Sequence, residues 1–264
     1  MRRNPFTPFF FTAALVLAVG LACATLVNSP AEEPAPVAQP SPQSVPQQPA
    51  GQPQPTAVQV QPTAVPPTPV PQASRFFKED FNASVSNWTT FVTRGELNQL
   101  SASVSNGFYV FELLATQVWG YSIYTPETYT DVRLDVVADN RGVNDNNVTL
   151  VCRYSETEGW YEASIANNGK YWIYYGKWDN NHKTASYAVV ADGGSNDIRQ
   201  GKDVNTYSLI CKGRTITVLI NGKQVRAIDD NQWALRDGQI GVGVSSFRLL
   251  PVQVEFDSIE ISEP

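Results

Sequence analysis

Over the C-terminal two-thirds of the chain, apolar positions recur with period two in short runs broken by turn residues. Runs at 107–113, 131–136, 148–154, 160–165, 171–175, 215–220, 223–228, 239–244 and 252–261 predict β-strands. Asn221-Gly222 separates two of them by a two-residue loop whose residues accept positive φ, which predicts a hairpin over 215–228. Asn167-Asn168-Gly169 predicts another between 160–165 and 171–175. No apolar period of 3.6 runs for a useful length, apart from one turn around Trp233-Ala234-Leu235. Many short strands at regular spacing predict an all-β fold of antiparallel sheets, a sandwich or a barrel.

Period two also assigns faces. Val132, Leu134 and Val136 share one face, with Asp131, Arg133 and Asp135 opposite. Leu150, Cys152 and Tyr154 are expected on a common core face, as are Tyr207, Leu209 and Cys211. On 171–175, Tyr171, Ile173 and Tyr175 face one way while Trp172 and Tyr174 face the other. Both cysteines therefore point to the core, either as a disulfide or as two buried thiols.

The chain before residue 75 has no such pattern. Residues 1–23 carry Arg2 and Arg3, an apolar run and small residues before Cys23, the layout of an export signal. The ending Gly20-Leu21-Ala22-Cys23 resembles a bacterial lipobox, which implies lipidation at Cys23; its Leu stands one place nearer the Cys than is usual. An uncleaved signal anchor and full secretion are the rival readings, since the apolar stretch extends to Val27, close to the ~18–20 residues that span a bilayer. Membrane attachment by lipid or signal anchor, with the domain outside the cytoplasm, is the expectation. Residues 24–74 are rich in Pro, Gln, Ala, Val and Thr and predict an unpacked, semi-rigid spacer. The folded domain is then 75–264.

Composition removes one class of partner. The 264-residue chain has 25 acidic against 19 basic residues and a net charge of −6. With no Lys/Arg cluster in the folded part, nucleic acid is not expected as a partner.

Phe77-Lys78-Glu79-Asp80-Phe81, Asn87-Trp88, Cys152-Arg153-Tyr154, Trp160-Tyr161 and Asn168-Gly169-Lys170-Tyr171-Trp172-Ile173 follow one another in an informative order. With Ile210-Cys211-Lys212-Gly213, Gln239-Ile240-Gly241-Val242 and Val254-Glu255-Phe256-Asp257, they resemble bacterial concanavalin A-like (laminin G-like) jelly rolls. More narrowly, the pattern is similar to the domain family named for 3-keto-disaccharide hydrolases. The resemblance implies a jelly-roll β-sandwich of two antiparallel sheets and says less of activity, since one fold hosts many functions. It also implies a structural calcium ion between the first and last strands, with Asp80 and Asp257 as the corresponding carboxylates.

The Glu-x-Asp-x-x-Glu strand of laminarinase-type glycosidases is absent. Asp131 and Asp135 stand roughly 13 Å apart on one strand, too far for the ~5–5.5 Å of a retaining carboxyl pair. Asp135, Arg153 and Glu162 could share a polar face that holds a sugar if their strands are neighbours; otherwise they are ordinary strand-face charges. His182, the only histidine, lies in a polar stretch beside no nucleophile motif, and no zinc-ligand spacing is present. Aromatics are dense mid-domain: Trp119, Tyr121, Trp160, Trp172, Tyr174 and Trp178. Exposed rings can stack on sugars. The expectation is a carbohydrate- or envelope-glycan-binding module without catalysis, with Trp119, Trp160, Trp172 and Tyr174 in its site. A glycan hydrolase or lyase of the resembled family and an adhesive protein-binding domain are the rivals.

Overall fold

Asn221 and Gly222 adopt φ 49° and 80°, a turn that folds two alternating strands against each other. Similar turns repeat along the chain in a computed structural model that describes residues 74–143 and 145–264. The export segment, Cys23 and the spacer up to residue 73 lie outside the described residues. Within them, the helical element is a single 3-10 turn, Leu97–Gln99, and no helix is long and apolar enough to cross a membrane.

In chain order the strands are β1 (Phe77–Glu79), β2 (Trp88–Arg94), β3 (Leu100–Ser105), β4 (Phe108–Leu113) and β5 (Trp119–Tyr129). Next come β6 (Val132–Asn140), β7 (Asn146–Ser155), β8 (Gly159–Ala166), β9 (Lys170–Trp178) and β10 (Ala185–Gly194). The last are β11 (Val204–Lys212), β12 (Thr215–Ile220), β13 (Lys223–Asp229), β14 (Gly238–Ser246) and β15 (Val252–Ser262). An eight-stranded sheet runs β13-β12-β11-β6-β15-β4-β3, with β1 also paired to β15. A seven-stranded sheet runs β10-β9-β8-β7-β14-β5-β2. Every pairing is antiparallel. The fold is the two-sheet jelly roll that the alternation and the resemblance predicted.

Between the sheets, Val132, Leu134 and Val136 of β6 meet Leu150 of β7, Ile165 of β8 and Val242 of β14 in one buried core. Truncating a fully buried leucine such as Leu134 costs about 2–5 kcal/mol. Cys152 of β7 and Cys211 of β11 are bonded across this core, joining the two sheets. Of the two states open to the cysteines, the structure holds the disulfide.

Two expectations are corrected. Tyr154 does not share the core face of Leu150 and Cys152. Arg153 takes φ 55° and the register with β8 and β14 shifts around it, so the bulge turns Tyr154 to the outer face. The segment around Trp233-Ala234-Leu235 is not a helical turn but an irregular loop, with Ala234 at φ 57°. Asp230 holds it, accepting the backbone N–H groups of Gln232, Trp233 and Ala234.

Candidate functional site

The outer face of the seven-stranded sheet carries a second, smaller apolar layer. Alternation sends Phe91 of β2, Tyr121 and Ile123 of β5, Trp160 of β8 and Trp178 of β9 to this side. The layer packs because small residues lie under large rings. Trp160 stands opposite Gly176 on β9, where a Cβ would come within 2.4 Å of the indole. Tyr121 stands opposite Gly243 on β14, where a Cβ would meet the ring at 2.9 Å. The glycines let both rings lie flat across their neighbours.

At the centre sits Glu162, on β8 two residues from Trp160 and only 3% exposed. The Trp160 indole N–H donates to Glu162 Oε2 over 2.8 Å, and the Tyr121 hydroxyl donates to the same oxygen over 3.1 Å. With its proton committed to Glu162, Tyr121 accepts from the Tyr187 hydroxyl of β10 at 3.0 Å. Tyr187 in turn accepts from Thr93 of β2 at 2.7 Å. β2 and β10 are the two edges of this sheet. The sheet therefore curls until its opposite edges touch through side chains, and the chain of hydroxyls closes over the carboxyl.

Burial pushes the Glu162 carboxyl up from 4.5 to about 7, and the hydrogen bonds from Trp160 and Tyr121 offset this only in part. No second carboxylate contributes to that shift. The surrounding phenols move away from neutrality. Burial is the first cause for Tyr121 and Tyr187, both raised well above 10, and for Tyr154 and Tyr174, both raised to about 12. Of the groups packed around Glu162, then, the carboxyl itself is the one that titrates near neutrality.

The rim of this face opens into clefts. The first, about 340 Å³, is lined by half-buried Trp172 with Gln117, Asn147, Asn168, Asp145 and Arg248. Its amides are held from behind. Asn147 Nδ2 donates to Ser164 Oγ at 2.8 Å and Gln117 Nε2 to the Phe247 carbonyl at 3.0 Å. Their carbonyl oxygens have no partner among the described residues. Trp172 runs parallel to Tyr174, with an interplanar angle of 9° and centroids 6.5 Å apart. A larger cleft, about 690 Å³, lies over Phe91, Tyr154 and Trp178 and is bounded by Glu96, Leu97 and His182.

The structure thus places Trp119, Trp160, Trp172, Tyr174 and Glu162 on one face and leaves two expected members elsewhere. Asp135 is on β6 in the other sheet, where Arg133 and the Ser208 hydroxyl occupy its oxygens. Arg153 is wholly buried at the bulge and donates to the carbonyls of Leu235, Thr130 and Gly213. The trio of Asp135, Arg153 and Glu162 does not form, because β6 and β8 belong to different sheets. Trp160 is 1% exposed, so it supports the face from below and offers no ring to a ligand. Phe91, Thr93 and Tyr187 were not foreseen; they lie on the edge strands β2 and β10, which meet each other only through the curl of the sheet.

Asp80 and Asp257 are exposed at the end of the β1–β15 pairing. Among the described residues no group of three His, Cys, Asp or Glu is arranged to hold a metal ion. Two exposed carboxylates alone fall short of the six to eight oxygens that calcium takes.

Comparison with known proteins agrees with this architecture. No curated protein matches the chain significantly in sequence. A glycoside hydrolase family 16 endo-glucanase from Bacteroides ovatus, solved with the compound G4G3G-2F-DNP, superposes with a TM-score of 0.50 at 12% identity. The match covers 70% of this chain and 99% of that one. A Bacillus subtilis protein of unknown function with a galectin-like fold gives a TM-score of 0.50 at 12% identity, over 71% of this chain and 94% of its own. At such identity these likenesses speak for the fold. The model of the 3-keto-alpha-glucoside-1,2-lyase-like domain matches residues 77–262. Through that match the chain belongs to the 3-keto-alpha-glucoside-1,2-lyase-like domain family.

Proposed function

We propose that this chain is a membrane-anchored, extracytoplasmic module that binds carbohydrate or cell-envelope glycan without cleaving it. The observation that carries the reading is the cleft at Trp172. A half-buried indole offers an apolar platform, and beside it the side-chain amides of Gln117 and Asn147 are fixed by the frame. Sugar rings ask for that combination: an apolar face to stack and hydroxyls to pair at preset positions. The family, and the glucanase solved with an oligosaccharide derivative, support carbohydrate as the ligand class. Absence of catalysis is supported by Glu162, which has no carboxylate partner and is roofed by Tyr121 and Tyr187. Retaining and inverting hydrolysis both need two carboxyls flanking the bond. Export and anchoring rest on the N-terminal sequence, and the buried disulfide is in keeping with an oxidising compartment.

A glycan array probed with the full chain tests the proposal. Specific glycans are expected to bind, and Trp172→Ala to abolish the signal. Silence across the array would favour a protein-binding role.

One observation favours a second reading, a lyase or hydrolase of this family. A carboxyl titrating near 7 suits general acid–base work. Under that reading the array glycans would be cleaved, and Glu162→Gln would stop cleavage without stopping binding.

A further inference from the structure

A third cleft, about 220 Å³, lies where the two edges of the seven-stranded sheet meet, lined by Thr93, Arg94, Trp119, Thr184, Ala185 and Tyr187. Its chemistry differs from that of its neighbours. The lining contains one charged side chain, the Arg94 guanidinium, and no carboxylate. Arg94 lies over the Trp119 ring, 5.6 Å from its centroid, and takes part in no ion pair among the described residues. The Trp119 indole Nε1 is buried without an acceptor. A buried donor left unpaired is costly. The Tyr187 ring packs edge-on against Trp119 at 4.9 Å and forms the remaining wall.

The free donor at the cleft is the Arg94 guanidinium; the Trp119 indole N–H is buried, and neither has a partner among the described residues. The hydroxyl protons of Thr93 and Thr184 are already given, to Tyr187 and to Asp179. An anionic oxygen answers the guanidinium with a charge-assisted bond, which a neutral hydroxyl does not. The overall charge of −6 opposes an anion at long range. Recognition must therefore be local, which a cation at short distance over an aromatic ring provides.

We propose that this seam between β2 and β10 is a subsite for the anionic group of an acidic sugar, a carboxylate or a sulfate ester, carried by a glycan that lies on the same face. Arg94 supplies the charge-assisted bond. The half-exposed Trp119 ring lies beneath the guanidinium and forms part of the cleft lining. The inference rests on the carbohydrate reading of this face and adds the charge class of the ligand.

The test uses the full chain with 15N-labelled tryptophan, the Trp119 indole signal being assigned through Trp119→Phe. Glucuronate, glucose 6-sulfate, glucose and inorganic sulfate are titrated in turn. The expected result is a shift of the Trp119 signal with one or both acidic sugars and none with glucose. Arg94→Ala should weaken that response about tenfold, with Arg94→Lys intermediate. Which acidic sugar binds more tightly separates carboxylate from sulfate. An equal response to glucose, or no response to either acidic sugar, overturns the subsite. An equal response to inorganic sulfate alone reduces it to an adventitious ion and also overturns it. Trp172→Ala separates the two claims: loss of neutral-glycan binding with the Trp119 response intact leaves both standing. A Trp119 response in a chain that binds no array glycan would sink the broader reading and leave the anion site.

Discussion

Thr93 and Tyr187 stand on the opposite edge strands of the seven-stranded sheet, 94 residues apart in sequence, and share a hydrogen bond of 2.7 Å. The contact exists because the sheet curls enough for its outer face to become a closed aromatic layer. Below it, the Tyr121 hydroxyl and the Trp160 indole converge on Glu162. The clefts of this face therefore lie at its rim.

The buried carboxyl gives the domain a pH-dependent stability. Unfolded Glu162 titrates near 4.5 and folded Glu162 near 7, so the native state binds the proton more tightly. The favourable term is full below about pH 4.5, is lost as pH rises through about 7, and is flat above. The total is about 3 kcal/mol. Glu162→Gln carries no such proton and should remove this part of the slope between pH 4.5 and 8, in urea unfolding followed across that range. An unchanged slope would mean that Glu162 is solvated in solution.

The bond between Cys152 and Cys211 closes a loop of 59 residues across the core. On the chain-entropy view such a loop contributes about 4 kcal/mol. Cys152→Ala with Cys211→Ala should lose about that much in denaturant unfolding. Alkylation of the unfolded, unreduced wild type should label neither cysteine.

Arg153 is a structural cation. It ties the β5–β6 turn at Thr130, the β11–β12 turn at Gly213 and the β13–β14 loop at Leu235. Arg153→Met should cost about 3–5 kcal/mol, because three carbonyls, one of them at buried Leu235, lose their donor at once. Glycan affinity of the folded fraction should be unchanged. A variant of full stability with lost binding would place Arg153 at the ligand instead.

Gly176→Ala tests the seating of Trp160. The new methyl would press on the indole, with an overpacking cost of about 1–3 kcal/mol and an altered near-ultraviolet tryptophan signal. A silent substitution would show that the ring does not lie where the packing puts it.

Nine of the strands and their faces were legible in the sequence because alternation is a local property, whereas β1, β2, β3, β5 and β10 were not among the predicted runs. Trp172 and Tyr174 were read correctly as sharing a face, and Trp160 and Glu162 share one by the same rule. Three things were not legible, each for a physical reason. The Arg153 bulge reverses the face of Tyr154, and neither Cys152 nor Arg153 has a residue type that announces positive φ. Strand order decides that Asp135 and Glu162 lie in different sheets, and period two carries no information on order. The Thr93–Tyr187 contact depends on sheet curvature, which leaves no trace at either position. A lone Glu in a strand otherwise free of charge was the one local sign that the face held a buried polar centre.

Calorimetric titration of the best array glycan into the full chain and into Trp172→Ala, with the sugar recovered and sized afterwards, tests the central claim most directly. The account expects wild-type binding, at least about tenfold weaker binding in the variant, and a glycan recovered intact. Equal affinity in the two proteins, or a shortened glycan, would contradict it.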